Sequence, residues 1–105
     1  MTSVSTQEWF PFAFETVTVS TSAVGLTAAT YNPAGLPSAQ TALVTFAAGD
    51  VRVCFDGSVP TSSVGHLFSA GSSLTLFGDG IRKFKAIRSG GSDGVLSVTY
   101  SGVQR

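Results

Sequence analysis

The chain has 105 residues and a mass of 10.8 kDa, which is one small domain. Six basic residues balance six acidic ones, and only 11% of positions are charged, against about 25% in an average soluble protein. A 43% hydrophobic content without net charge argues against disorder, the missing basic excess against nucleic-acid binding, and the short apolar runs against a membrane-spanning helix.

Residues 1–14 are the first distinct segment. Trp9, Phe10, Phe12 and Phe14 put four aromatic side chains into six positions after a polar start. Pro11 argues against a central strand there, so the expectation is an extended N-terminal arm. Such an arm either covers one end of the core or inserts into a neighbouring subunit, where aromatic side chains give large contact area at low entropy cost. A single domain over residues 15–105 follows.

Within that domain the apolar residues recur at two-residue spacing, broken every several positions by Gly, Pro, Asn or Asp. This is the pattern of an all-β sandwich or barrel. Strands are predicted over 16–20, 26–31, 41–48, 51–55, 66–68, 73–77, 84–88 and 95–100. A loop is predicted over 32–37, where two prolines and a glycine interrupt the pattern. Gly49-Asp50 reads as a tight hairpin turn between two strands, and residues 89–94 as an exposed hairpin loop. Seven or eight short antiparallel strands fit a jelly-roll-like β-sandwich. Its expected core is Val17, Val19, Val44, Phe46, Val53, Phe55, Leu74, Leu76, Leu96 and Val98.

Few residues carry recognisable chemistry. Residues 90–94 spell G-x-S-x-G around Ser92, but a strand pattern follows where a hydrolase needs a helix. His66 is the single histidine, so a Ser-His-Asp triad or a His-based metal site would have to use it, and nothing in the spacing places partners beside it. Cys54 is the single cysteine, which excludes an internal disulfide and a Cys-based zinc site; it reads as a buried apolar-type residue of a central strand, sharing a face with Arg52. Asp56-Gly57, Asp79-Gly80 and Asp93-Gly94 read as turns, because Asp bonds nearby backbone and Gly accepts positive φ. Arg82, Lys83, Lys85 and Arg88 place four of the six basic residues within seven positions. They either meet an acidic protein partner or protect an edge strand from stray pairing. No cofactor or metal site is expected.

One stretch carries a resemblance. Val51-Arg52-Val53-Cys54-Phe55-Asp56-Gly57-Ser58-Val59-Pro60-Thr61, then Val64-Gly65-His66 and Ala70-Gly71, then Phe84-Lys85-Ala86-Ile87-Arg88 and a last strand ending near Tyr100, is similar to a pattern in small structural proteins of tailed bacteriophages. The resemblance covers residues 50–101. Cys54 and Val59 stand where that pattern is more polar.

The resemblance implies a virion component of sandwich fold without enzymatic activity. The expected role is a head decoration or cement protein that binds the capsid as a homo-oligomer, with a tail or head–tail connector component as the alternative in the same class. The expected partners are other copies of the chain and the major capsid protein. The expected partner-binding residues are Trp9, Phe10, Phe12 and Phe14 of the arm and Arg82, Lys83, Lys85 and Arg88 of the basic cluster. The N-terminus lacks a basic region followed by an apolar stretch, so the expected location is the phage particle, after synthesis in the host cytoplasm without secretion. A carbohydrate-binding sandwich that stacks sugars on Trp9 and Tyr31 is the alternative from a different class. A hydrolase using Ser92 and His66 is a third reading.

Overall fold

The structure, a computed structural model, describes residues 8–32 and 39–104. Seven strands and two helical turns follow one another along these residues: β1 (Glu8–Val19), α1 (Ala28–Tyr31), β2 (Thr41–Ala48), β3 (Val51–Cys54), β4 (His66–Phe68), β5 (Ser73–Phe77), α2 (Asp79–Lys83), β6 (Lys85–Arg88) and β7 (Gly94–Gln104). The strands form two antiparallel sheets. The larger runs β1-β7-β2-β5 and the smaller β4-β3-β6. The fold is therefore all-β, with two sheets around a shared core.

The period-2 pattern explains which side chains enter that core. Ala42, Val44 and Phe46 on β2 and Leu96, Val98 and Tyr100 on β7 are all buried, while the residues between them face outward. Val51 and Val53 on β3 and Ala86 on β6 meet them from the smaller sheet. Phe46 stacks on Phe68 across the two sheets, with ring centroids 4.6 Å apart. Ile81 and Phe84 close one side of the core from α2 and the residue after it.

Of the ten core residues expected, Val19, Val44, Phe46, Val53, Leu76, Leu96 and Val98 are buried, and Val17 and Leu74 pack half-buried against them. Phe55 is the exception. It lies one residue beyond β3, is 37% exposed, and stacks on His66 instead. Alternation no longer assigns a face once the strand has ended.

Four local expectations change. Gly49-Asp50 does not close a hairpin, because β2 and β3 belong to different sheets. Gly49, at φ 75°, turns a corner that carries the chain from one sheet to the other. Residues 89–94 likewise connect β6 to β7 across the sheets and do not form a hairpin. The two corners pack together: a side chain at Gly49 would sit 2.8 Å from the Asp93 carbonyl oxygen, and the Ser89 N–H donates to the Asp50 carbonyl at 2.8 Å. Residues 28–31, expected as strand, form the helical turn α1. The N–H groups of Thr30 and Tyr31 both reach the Thr27 carbonyl, and Tyr31 lies tilted against Tyr100 at 5.9 Å.

The fourth change concerns the N-terminal arm. Its described part is not separate from the first strand: residues 8–14 are the beginning of β1 and pair with β7 from Glu8↔Gln104 to Phe14↔Thr99. Pro11 is accommodated because β1 is an edge strand, where one side needs no N–H donor. Residues 1–7, and all but the first position of the loop expected over 32–37, lie outside the described residues.

One polar cluster holds β1 over the core. Tyr100 is fully buried, and its hydroxyl donates to the Glu15 carboxylate. Glu15 also accepts from the Thr27 hydroxyl at 2.6 Å and the Thr27 N–H at 3.1 Å. Burial, and then the bond to Glu15, push the Tyr100 hydroxyl well above its ordinary value of 10.0.

Two predictions follow from this packing. A methyl group at Gly94 would lie 2.3 Å from Cγ2 of the buried Val51, whereas one at Gly91 meets nothing within 4 Å. Gly94→Ala should lose about 1–3 kcal/mol in urea unfolding, and Gly91→Ala should stay within about 0.5 kcal/mol of the parent. Tyr100 keeps its proton in the fold to higher pH than in the unfolded chain. Its contribution is therefore complete below pH 10 and is lost as pH rises beyond it. Tyr100→Phe should cost about 1–2 kcal/mol at pH 7 and make the alkaline decline of stability shallower; an unchanged decline would contradict this assignment.

Candidate functional site: the outer face of the four-stranded sheet

The alternation that sends Leu96, Val98 and Tyr100 inward leaves the opposite face of the larger sheet to water. Its side chains fall in rows across the strands. One row is Pro11 (β1), Ser101 (β7), Thr41 (β2) and Phe77 (β5); the next is Phe14, Thr99, Leu43 and Thr75; the third is Thr16, Ser97, Thr45 and Ser73. Thr18 and Val95 begin a fourth. No residue in these rows is charged. Phe14, Leu43 and Phe77 are 61%, 46% and 66% exposed, so large apolar groups stand among the hydroxyls. Strands about 4.8 Å apart and rows about 7 Å apart space these side chains evenly over the face.

Most charges lie elsewhere. Glu15 points inward and is hydrogen-bonded. The outer face of the smaller sheet carries Arg52 beside Leu67 and Ile87, and Cys54 opposite Lys85. The two sheets thus present chemically different surfaces, one bare of charge and one cationic.

The expected partner-binding residues are distributed unevenly. A bulge at Phe12 shifts the register of β1 between Pro11 and Ala13. Without it Phe10, Phe12 and Phe14 would share a face. With it Phe12 packs against the core and near Gly102, Phe10 lies beside Phe12 with centroids 6.5 Å apart, and Phe14 alone stands on the uncharged face. The backbone of Trp9 pairs with Val103, and its side chain lies outside those described.

The basic cluster is divided between two elements, and two of its four residues are ion-paired. Arg82 pairs with Asp79 at 2.6 Å and Arg88 with Asp93 at 2.7 Å. Arg82 and Lys83 belong to α2, and Lys85 and Arg88 to β6. The edge of β6 is not bare, because Val24 exchanges two backbone hydrogen bonds with Ala86 and the Ser20 carbonyl accepts from Arg88 N–H.

The residues quoted for the resemblance have architectural roles in the segment between β3 and β4. Arg52 donates through Nε to the Ser62 carbonyl at 3.1 Å and through Nη1 to the Gly65 carbonyl at 2.9 Å. Asp56 accepts from Ser58 N–H, a bond that lowers its pKa, and Gly57 takes φ 99° in the same turn. Thr61 Oγ1 accepts from the N–H groups of Ser63 and Val64. Pro60 is fully buried, and Gly65 adopts φ 131° against it. The role of Arg52 was not read from the sequence; the signal available was a cation alternating with valines beside a Gly/Pro-rich loop.

No catalytic arrangement emerges around the residues weighed for one. Ser92 lies in the corner before β7, and His66 is exposed against Phe55. Among the described residues no three His, Cys, Asp or Glu side chains converge to hold a metal. A hollow of about 560 Å³ beside Pro60 and Ile87 is lined by hydroxyls and Arg88, whose guanidinium is already bonded to Asp93. Tyr31, weighed as a sugar-stacking residue, lies half-buried against Tyr100. No protein-family model, curated protein or solved structure matches the chain.

Arg52→Ala removes two donors from the 55–65 loop. It should lower stability by about 1–2 kcal/mol and open the loop to proteolysis. Arg52→Lys should not restore it, since a single ammonium lacks the planar fork that reaches both carbonyls. Unchanged urea midpoints in both variants would refute this role.

Proposed function

We propose that this chain is a structural subunit of a bacteriophage virion, a head decoration or cement protein that binds the capsid as a homo-oligomer and catalyses no reaction. The observation that carries the reading is the uncharged outer face of the larger sheet, with Phe14, Leu43 and Phe77 exposed among Ser and Thr. A free, dispersed monomer is better served by a charged, patch-free surface. An assembly subunit is served by a face that desolvates cheaply, because no ion must leave water when it docks. Fully burying one such apolar side chain is worth about 1.5–3 kcal/mol, before the cost of association.

The similarity of residues 50–101 to small tailed-phage structural proteins supplies the virion part of the proposal. Other copies of the chain and the major capsid protein are the proposed partners, the particle is the proposed location, and no cofactor is required. The two-sheet fold is read in this proposal as jelly-roll-like. The aromatic segment of residues 8–14 is read as an assembly element, which its place at the sheet edge permits. Phe14 and the outer face are the proposed capsid-facing contact, and the more cationic small sheet is proposed to remain in solvent.

Mass spectrometry of purified phage particles should detect the chain as a multicopy component, and its gene should neighbour those for portal, protease and capsid. Leu43→Lys places a charge in the middle of the face at an exposed position. The variant should keep its urea midpoint within about 0.5 kcal/mol of the parent, yet fall at least tenfold in particle occupancy. Full occupancy by the folded variant, or absence of the parent chain from particles, would refute the proposal.

A further inference from the structure

The two sheets have four edges, and three of them are closed to another strand. β4 is three residues long and β5 five, too short to template an extended partner. β6 is covered by the backbone of Ser20 and Val24. The fourth edge is β1, which runs for twelve residues. Among the described residues no backbone hydrogen bond reaches β1 from any strand except β7.

Natural edge strands are usually protected by lysines, prolines, bulges or inward charges. On β1, Pro11 and the bulge at Phe12 protect the N-terminal part. The seven residues 13–19 carry no proline and no basic residue, and Thr16, Val17, Thr18 and Val19 favour extended structure. Glu15 is the single charge there, and its carboxylate is turned inward onto Tyr100 and Thr27. Val19 is fully buried, but residues 13–18 keep part of their surface in solvent, and no charge there is directed outward.

We infer that the free edge of β1 pairs antiparallel with β1 of a second copy, joining two four-stranded sheets into one eight-stranded sheet. This contact rests on the homo-oligomer of the preceding section and specifies how it forms. The occupant is a second copy because an antiparallel strand pair is its own two-fold mate, and a two-fold contact closes at the dimer. Pairing β1 with the short edge of β5 in another copy would instead run head to tail into a filament. Centring the pair on Thr16 sets Thr16 against Thr16, Phe14 against Thr18 and Glu15 against Val17 of the other copy. No like charges stand opposite one another in that register. The uncharged outer faces then become continuous, which doubles the area offered to the capsid.

The test uses the full chain with Cys54→Ser, which removes the native thiol. Directly opposed residues in an antiparallel pair have Cα atoms about 4.5–5.5 Å apart, within the range a disulfide spans. Thr16→Cys should therefore cross-link most chains into a covalent dimer under mild oxidation at low micromolar concentration. Thr45→Cys, at the centre of the outer face, should not cross-link. Light scattering should give twice the chain mass without higher multimers. Cross-linking at position 45 in place of 16 would overturn the edge contact and leave the homo-oligomer standing. A ladder of multimers would overturn the closed two-fold pairing. A monomer at all concentrations would overturn both this contact and the homo-oligomer.

Discussion

The antiparallel pairing of β7 with β1 on one side and β2 on the other organises the whole domain. β7 pairs with β1 along its full length, from Gly94 to Gln104, so the last strand of the chain is held by the first. It pairs with β2 from Val95 to Ser101. These contacts close loops of nearly the whole chain, and loop closure of that length costs only slowly increasing entropy. In return β7 presents Leu96, Val98 and Tyr100 to the smaller sheet as a continuous apolar row. Tyr100 brings a hydroxyl into that row, and Glu15 on the neighbouring strand satisfies it.

The same pairing decides where charge can lie. A strand in the middle of a sheet has two faces and no free edge. Once Leu96, Val98 and Tyr100 are inside, Val95, Ser97, Thr99 and Ser101 are outside, with Thr and Leu residues of β2 beside them. Apart from Glu8 and Glu15 on β1, the charged residues described fall on the smaller sheet and its 55–65 loop, on α2 and in the corners that link the sheets. Those corners are packed closely: Gly49 and Gly94 each sit where a side chain would collide with the opposite turn or with Val51. The smaller sheet's own stability depends in part on Arg52, which ties the 55–65 loop back to its strand.

This division of surfaces is the ground of the proposed assembly role. The residues weighed for catalysis have structural settings, with Ser92 in a corner and His66 on Phe55. Of the polar side chains with defined partners, Arg52, Asp56, Thr61, Arg88 and Asp93 shape loops and turns. Among the described residues no charged side chain stands in the rows of the larger sheet's outer face, and no backbone hydrogen bond reaches β1 from any strand except β7. A face without charge and an edge without protection are costly in an isolated chain and useful in an assembled one, which is why the virion reading gives them to the capsid and to a second copy.

Much of this was legible from local pattern. Alternation placed β2, β4 and β5 at their observed ends and most of the core residues on the correct face, because a half-buried strand writes its burial into every second residue. Charge-poor composition agrees with the uncharged outer face of the larger sheet. Other features had no local signal. Phe55 follows a strand that has already ended. Residues 28–31 turn into a helical segment because Tyr31 docks on Tyr100, far away in sequence. A two-residue Gly-Asp link reads alike as a hairpin or as a corner between sheets, and only the partner of each strand distinguishes them. Composition and period thus determined by themselves that the chain is all-β, neutral and sparsely charged. Which strands are neighbours, the bulge that separates Phe14 from Phe12, and the gathering of uncharged side chains onto one face were decided by tertiary structure, since each depends on contacts between residues distant in sequence.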